Sequence, residues 1–381
     1  MIVFKRKIEG KIKQNIGTNK VLLLFGPRQA GKTTLSKKLL KEHGNEEAYF
    51  NCEEISVRKN FQVGEPDILK KMIGKHKLVV FDEAQTIENI GAVLKVFVDK
   101  YKDVQIIATG SSSFDLANKI NEPLTGRAFA FTLLPLSLSE IRSVKKVDEK
   151  ELHLLMRFGS YPEIVAAESE DEKISILKNI TTSYLYKDIF TFEKIKSPLR
   201  FEQLLALLAH QVGSMVSLNE LAQSLSISRQ LVEKYIRLLE QAYVIKRVHA
   251  FAKNKRNEIK RAFKVYFIDS GIRNALIDYL DKIDERNDVG HLFEQFYFTE
   301  LLKDINSEVV GPKIQFWRTH KGQEIDFIVE SGKSLQAIEC KWNSDEKPSF
   351  NIFSKAYPEA TTEIVNPEKL LASKACKVKS L

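Results

Sequence analysis

The stretch "LLLFGPRQAGKTTL", Leu22–Leu35, decides the fold of the first part of the chain. An apolar run ends at one glycine, and a helical pattern begins after a second glycine. The turn between them fits the spacing G-x-x-x-x-G-K-[ST], in which backbone N–H groups wrap a phosphate at a helix N-terminus. We therefore predict a nucleotide-binding loop, made of Gly26, Pro27, Arg28, Gln29, Ala30, Gly31, Lys32, Thr33 and Thr34.

The residue types in and near this loop predict separate roles. Lys32 is expected to reach the β- and γ-phosphates of ATP, and the Thr33 hydroxyl is expected to bind Mg²⁺. A second element, "LVVFDEAQ" (Leu78–Gln85), is an apolar strand that ends in two acids. We expect Asp82 to hold the Mg²⁺ shell and Glu83 to polarise the attacking water as general base.

Strand patterns alternate with amphipathic helices over residues 1–135. The predicted strands are Val21–Phe25, Ala48–Cys52, Leu78–Phe81, Val104–Ala108 and Ala128–Leu133, with helices such as Thr33–Glu42 and Ile90–Lys100 between them. This alternation predicts an α/β fold with a parallel sheet and helices on both faces. Ser111, beyond the fourth strand, is then a candidate to sense the γ-phosphate, and an ordinary polar turn is the alternative interpretation.

Composition limits the class of protein. The 381 residues suffice for two or three domains, and 43% hydrophobic with 29% charged residues is ordinary for a soluble protein. No apolar run approaches a membrane span, and the N-terminus lacks a secretory pattern. The three cysteines are widely spaced, at Cys52, Cys340 and Cys376. This spacing predicts a protein of the reducing cytoplasm. The net charge of +9 permits a polyanionic partner.

Residues 217–248 follow the pattern of a helix-turn-helix. Ser217 and Glu220 predict a capping box for a first helix, and Ser228 caps a second. The second helix is expected to expose Arg229, Gln230 and Lys234. Two strands follow, Val244–Ala250 and Ala262–Ile268, and Lys246–Lys264 holds eight Lys or Arg against one Glu. This basic wing predicts contact with a DNA backbone; a protein–protein module is the alternative.

The segment "SGKS", Ser331–Ser334, separates two strand patterns near the C-terminus. With Gly332-Lys333 as the central residues of a type II′ turn, Asp326 faces Glu339 and Glu324 faces Lys341. Strand alternation places these four on one face, with the apolar residues Ile325, Phe327, Val329, Ile338, Cys340 and Trp342 on the other. Because facing carboxylates repel, they predict a cation between them, Mg²⁺ or Mn²⁺.

Several motifs together resemble those of AAA+ ATPases, in particular a prokaryotic family with a C-terminal domain of unknown function. They are "GPRQAGKTTL", "FDEAQ", "TGSSS", "LTGR" (Leu124–Arg127), "GSYPE" and "YFIDSGIRNAL" (Tyr266–Leu276). The resemblance implies an AAA+ core at 1–135, a helical lid at 136–200 and a ring, six-membered by family analogy. It makes Arg127 a candidate arginine for the γ-phosphate, in cis or from a neighbouring subunit, with Arg28 a weaker candidate.

The C-terminal hairpin resembles the core of PD-(D/E)xK nucleases and Holliday-junction resolvases, although "EID" stands where "PD" is usual. The helix-turn-helix pattern with its basic wing predicts a winged helix-turn-helix at 201–270, and the resemblance implies a nuclease-like domain at 271–381. It implies metal ligation by Glu294, Asp326 and Glu339, with Lys341 activating water or stabilising developing charge. An ordinary cross-strand ion pair on an inactive nuclease fold is the alternative.

Two functions account for this combination. In the first, an ATP-hydrolysing homo-oligomer works on duplex or branched DNA, which the terminal domain also engages. In the second, the chain is an ATP-controlled switch or scaffold whose winged helix and terminal domain bind proteins.

Overall fold

The computed structural model describes residues 3–61, 65–111, 124–182, 195, 197–251, 263–306, 311–319, 321–332, 334–343, 345 and 350–373. The chain forms two compact units. The P-loop unit comprises Lys5–Pro135 and Gln241–Tyr243, and the C-terminal unit comprises Met1–Phe4, Leu136–Glu240 and Val244–Leu381. Among the described residues, we find no helix with both the length and the apolar character that a membrane span requires.

The P-loop unit is built on a five-stranded parallel sheet in the order β2-β3-β4-β1-β5. Its strands are β1 Val21–Phe25, β2 Tyr49–Asn51, β3 Leu78–Asp82, β4 Gln105–Gly110 and β5 Ala128–Thr132. Its helices are α1 Lys7–Gln14, α2 Lys32–Glu42, α3 Ile55–Phe61, α4 Pro66–Ile73 and α5 Ile90–Lys100. The α/β parallel sheet predicted from the sequence is confirmed: β1 has the predicted ends, and the ends of the other strands differ from the predicted ones by at most two residues.

The strands of this sheet form because their apolar runs are buried from end to end. All residues of β1 and β3 are buried, as expected for central parallel strands. Phe81 of β3 packs edge-on against Phe61 at 4.7 Å between ring centroids and beside Phe97 at 6.0 Å. This core holds the C-terminal ends of β1, β3 and β4 along one edge of the sheet, where the predicted nucleotide residues follow.

The C-terminal unit begins with helices that the sequence analysis assigned to a separate lid at 136–200. They are α6 Leu138–Arg142, α7 Glu149–Phe158, α8 Pro162–Ala166 and α9 Glu170–Asn179. The structure places these helices in the same compact unit as the terminal domain. Contacts over long sequence distances explain this: the Glu300 carboxylate accepts the Leu138 N–H at 2.7 Å, and Lys303 donates to the Leu136 carbonyl at 2.9 Å.

The motifs "GSYPE" and "YFIDSGIRNAL" meet inside this unit. Asp269 caps α13 (Ser270–Leu276) by accepting the Gly271 N–H at 2.9 Å, and its other oxygen accepts the Ser160 N–H at 2.8 Å. A Cβ added to Gly159, whose φ is +84°, would lie 2.6 Å from the Asp269 carboxyl carbon. The two motifs therefore form a buried helix-capping joint that requires glycine at this position.

Three helices and a three-stranded antiparallel sheet follow. They are α10 Pro198–His210, β6 Met215–Val216, α11 Leu218–Leu225, α12 Arg229–Gln241, β7 Ile245–His249 and β8 Phe263–Phe267. β8 is the central strand, in the order β6-β8-β7. Of the predicted capping box, the bond from the Glu220 N–H to Ser217 is present at 3.3 Å, and Ser228 caps the next helix by accepting the Leu231 N–H at 3.2 Å.

The terminal domain is a four-stranded sheet in the order β12-β11-β10-β9, with α14 Val289–Asn306 before it. The strands are β9 Lys313–Arg318, β10 Glu324–Ser331, β11 Ser334–Cys340 and β12 Thr361–Val365, and the helices α15 Asn351–Ala356 and α16 Pro367–Ala372 complete it. β10 and β11 pair in the predicted register, with Phe327 opposite Ile338 and Ser331 opposite Ser334.

The strict alternation predicted for this hairpin is wrong at Phe327. A register shift lies between Ile325 and Ile328 where β10 pairs with β9. Ile325 and Ile328 share a core cluster with Phe353, whereas the Phe327 ring packs 5.4 Å from that of Tyr266 and 6.0 Å from that of Phe298. The two apolar sets therefore serve different cores, because a bulge breaks the two-residue period.

Candidate functional site

The nucleotide loop is tightly folded against the sheet. The Leu133 N–H donates to the Phe25 carbonyl at 2.7 Å, and a Cβ added to Gly26 would overlap the Leu133 carbonyl oxygen. Gly26 has φ +145°, and Gly31, at φ +99°, caps α2. Only glycine has the conformational freedom that these two positions need.

The cations around the loop hold its backbone. The buried Lys32 ammonium donates to the carbonyls of Gly26 and Pro27, each at 2.9 Å. The Arg6 guanidinium donates to the carbonyls of Ala30 at 2.7 Å and Leu134 at 2.5 Å. Sequence reasoning missed Arg6, because no motif marks it and its contacts are far away in sequence.

The Asp82 carboxylate gathers three hydroxyls at the end of β3. One oxygen accepts from Thr33 at 2.7 Å and from Tyr49 at 2.5 Å, and the other accepts from Thr109. The structure thus brings together Thr33 and Asp82, the two residues predicted to bind Mg²⁺. Burial, and then the hydrogen bond to Asp82, raise the pKa of Tyr49 above its ordinary value, so this phenol stays a donor.

The predicted general base and the predicted phosphate sensor are linked through one side chain. The Gln85 amide donates to Glu83 Oε2 at 2.5 Å and to Ser111 Oγ at 3.4 Å. Glu83 lies in the left-handed region at φ +51°, and its N–H donates to Thr109 Oγ1 at 3.1 Å. With this backbone geometry, the Glu83 carboxylate contacts Gln85, whereas the carboxylate of its neighbour Asp82 contacts the three hydroxyls.

Arg127 does not lie near the nucleotide loop of its own chain. The Val21 N–H donates to the Arg127 carbonyl at 2.9 Å, so Arg127 lies at the start of β1, whereas the loop follows Phe25 at the other end. Its side chain pairs with Asp99 at 2.9 Å. Of the two alternatives for Arg127, the geometry therefore does not favour the one in cis, because a parallel strand separates its two ends by its full length. Arg28 lies in the loop, 4.0 Å from Glu53.

In the C-terminal unit, the predicted metal ligands form a cluster that we call the acid centre, which consists of Glu294, Asp326 and Glu339. The Tyr266 hydroxyl donates to Glu294 Oε1 at 2.5 Å. Asp326 accepts the Cys340 N–H at 2.8 Å, and Glu339 pairs with Lys341 at 3.6 Å. Glu324, predicted to face Lys341, pairs instead with Lys264 and, at 3.1 Å, with Arg318.

Burial raises the pKa of all three acids, and their mutual repulsion adds to the effect. Desolvation, followed by the charge of Asp326, raises the pKa of Glu294 to about 7 and that of Glu339 to about 8. Desolvation also raises the pKa of Asp326, against the hydrogen bond from Cys340. The acid centre therefore favours bound protons or a compensating cation.

With the Lys264 ammonium beside Glu294, the side chains of the acid centre are not arranged to hold a metal ion. Within the described ranges, no group of three or more His, Cys, Asp or Glu side chains could hold one. A cation is nevertheless present, because the Lys264 ammonium, buried on β8, pairs with Glu324 and lies 3.5 Å from Glu294. Desolvation lowers the pKa of Lys264, but these carboxylates outweigh it and raise the net value. Lys264 belongs to the basic run predicted to form the wing, and no pattern in the sequence indicates this role.

The helix α12 exposes Arg229, Gln230 and Lys234, as predicted, and also Arg237. The basic run behind it is only partly available: Lys246 is exposed, whereas Arg247 pairs with Glu233 at 2.6 Å and Glu240 at 2.7 Å. The five remaining basic residues of the run, Lys253, Lys255, Arg256, Lys260 and Arg261, lie outside the described residues.

Comparison with family models divides the chain in three. Residues 18–142 match an AAA domain. Residues 149–283 match a domain of unknown function, DUF8612, and residues 289–374 match another, DUF4143. The AAA match covers the five-stranded sheet and the loop, in agreement with the predicted core.

Curated relatives align with this chain along most of its length. The "Uncharacterized protein Rv2008c" of Mycobacterium tuberculosis is 28% identical over 90% of this chain and 75% of its own length. The "Uncharacterized protein MJ1544" of Methanocaldococcus jannaschii is 25% identical over 96% of this chain and 84% of its own. A solved structure, that of C. elegans PCH-2, aligns over 61% of this chain and 70% of its own at 13% identity, with a TM-score of 0.28.

Proposed function

We propose that this protein is a Mg²⁺-dependent ATPase that acts on DNA. The observation that supports ATP hydrolysis best is the contact between Thr33 and Asp82 at 2.7 Å beside the loop that contains Lys32. The residues around it suit the nucleotide by their chemistry: a hydroxyl and a carboxylate for the metal, and an ammonium for the phosphates.

Each residue then has one task. Thr33 and Asp82 would hold Mg²⁺, which neutralises charge developing on the phosphates. Lys32 binds the β- and γ-phosphates, and Glu83 accepts a proton from the attacking water. Gln85 positions the Glu83 carboxylate, and its contact with Ser111 joins the base to the side chain that would meet the γ-phosphate.

Steady-state ATP hydrolysis with and without Mg²⁺ tests this proposal. Lys32→Ala should lose nucleotide binding, whereas Glu83→Gln should bind ATP and hydrolyse it at least tenfold more slowly. Lys41→Ala, at an exposed position of the same helix α2, is the matched control and should keep the wild-type rate. A wild-type rate in Glu83→Gln would show that Glu83 is not the base.

We further propose that residues 201–270 form a winged helix that binds the DNA backbone. The order of three helices and the strand order β6-β8-β7 support it, as do the exposed cations of α12, Arg229, Lys234 and Arg237. Basic side chains on such a surface bind phosphates with release of counterions. Because Arg247 is neutralised by two acids, we expect the run beyond Lys246 to supply the remaining phosphate contacts.

Electrophoretic titration against single-stranded, duplex and four-way DNA tests this binding. Replacing Lys253, Lys255 and Arg256 together should weaken binding to all sequences and flatten the salt slope by up to about one unit per lost contact. Replacing three exposed lysines elsewhere, Lys146, Lys150 and Lys355, matches the change in charge and should alter binding less. An unchanged affinity in the first variant would favour the protein-binding function.

We also propose a homo-oligomer, six-membered by analogy with AAA+ proteins, that works in the cytoplasm. Because Arg127 lies at the far end of β1, a phosphate contact would have to be made in a neighbouring subunit. Light scattering with and without ATP tests assembly. Arg127→Ala should slow hydrolysis in the assembled form only, whereas Asp99→Asn, which removes its ion-pair partner, should not.

The second candidate function is an ATP-controlled scaffold whose C-terminal unit binds proteins. The acid centre favours it over cleavage, since the described acids form no group that could hold a metal ion. Stimulation of ATP hydrolysis by duplex or four-way DNA would favour the first function. A rate that no DNA changes would favour the scaffold.

A further inference from the structure

The acid centre contains an internal cation that belongs to another element. Lys264 is 1% exposed although it lies in the most basic part of the sequence. Its ammonium pairs with Glu324 of β10 and lies 3.5 Å from Oε1 of Glu294 on α14. An ammonium this deeply buried is stable only when carboxylates compensate its charge.

The position of Lys264 is set by the strand that carries it. Lys264 pairs with Met215 on one side of β8 and with Val248 on the other, so it lies on the central strand of its sheet. Two residues further along β8, the Tyr266 hydroxyl donates to the same Glu294 at 2.5 Å. Alternation along the strand therefore directs both side chains to the acid centre.

The same sheet is locked onto α14 by its backbone. The Phe267 N–H donates to Gln295 Oε1 at 2.9 Å, and the Gln295 amide donates to the Phe267 carbonyl at 2.7 Å. Gly213, just before β6, leaves so little room that an added Cβ would lie 3.1 Å from Glu294 Oε1. The three-stranded sheet β6-β8-β7 thus covers the acid centre of the terminal domain.

We propose that Lys264 is the resident cation of the acid centre, so that the folded chain holds an ammonium beside Glu294, in the place that a divalent ion would need. A divalent ion close to a buried ammonium would be repelled by it, because the two like charges share a poorly screened site. Removal of the ammonium leaves Glu294 and Asp326 without the positive charge beside them, and Mn²⁺ can then supply that charge.

Titration of the full chain with Mn²⁺, followed by calorimetry and by thermal unfolding, tests the proposal. In calorimetry, wild type and Asp326→Asn should give the same result with Mn²⁺, because wild type has no Mn²⁺ site that depends on Asp326. Lys264→Met keeps the apolar length of the side chain and should bind Mn²⁺ at least tenfold more tightly than wild type, with a rise in Tm on addition of the ion. The double variant Lys264→Met, Asp326→Asn should lose that gain.

Lys246→Met is the matched control, since Lys246 is an exposed lysine on the neighbouring strand β7; it should bind Mn²⁺ as wild type does. If Lys264→Met does not fold, Lys264→Met with Glu324→Gln removes one acid with the ammonium and retains the three acids of the centre. Asp326-dependent Mn²⁺ binding by wild type, as tight as that of the variant, would overturn the proposal. A folded variant that gains no Mn²⁺ binding would overturn it too.

Discussion

Gly26→Ala tests whether the nucleotide loop is held by backbone packing as the structure describes. The added Cβ would overlap the Leu133 carbonyl oxygen and lie 3.0 Å from the Leu133 carbonyl carbon. Both obstacles are backbone atoms of the segment that follows β5, so no side chain can rotate to make room. The residue must also keep φ at +145°, where a side chain is strained.

The expected loss of stability follows from two contributions. Backbone strain at a glycine-only conformation costs about 1–3 kcal/mol, and overpacking costs about 1–3 kcal/mol more. Their sum, about 2–6 kcal/mol, is a large part of the 5–15 kcal/mol typical for a domain. Gly10→Ala is the control, because Gly10 lies in α1 with nothing within 4 Å of an added Cβ; it should stabilise by about 0.5–1 kcal/mol.

Urea unfolding measures both effects, with the transition of the P-loop unit identified as the one that Mg²⁺ and ATP shift to higher urea. Gly26→Ala should also weaken ATP binding at least tenfold, because the carbonyls of Gly26 and Pro27 that accept from Lys32 would move. Equal unfolding free energies for Gly26→Ala and Gly10→Ala, with wild-type affinity for ATP, would refute the packing described for this loop.

Three further predictions concern single contacts. Gly159→Ala should lower the Tm of the C-terminal unit by several degrees in calorimetry, because its Cβ would displace the Asp269 carboxylate that caps α13. Tyr49→Phe removes one donor to Asp82; it should cost about 1 kcal/mol in urea unfolding and lower kcat for ATP more than it weakens ATP binding. Burial, and then Asp326, raise the pKa of Glu339 from 4.5 to about 8. The contribution of protonated Glu339 to the free energy of unfolding is fully present below about pH 4.5 and is lost as the pH rises through about 8. Glu339→Gln should flatten that slope, which reaches about 1.4 kcal/mol per pH unit.

The features that could be predicted from the sequence are those whose cause is local. The nucleotide loop is one, because a strand, two glycines and a helix start follow one another within Leu22–Leu35. The register of the hairpin is another, since a two-residue turn at Gly332 fixes which residues pair. The caps at Ser217 and Ser228 are correct for the same reason: each depends on atoms three residues away.

The features that only the tertiary structure decided depend on residues far apart in sequence. Arg127 is the last residue of the motif LTGR, yet its distance from the nucleotide loop depends on how β5 pairs with β1. Phe327 changes core because β9 shifts register against β10. Lys264 looks like one more solvent-facing charge of a basic run, and the packing of β8 against α14 turns it into a buried partner of acids on two other elements. A sequence states which charges a chain carries; which of them share a buried site is decided by packing, because desolvation makes close pairing necessary only where water is excluded.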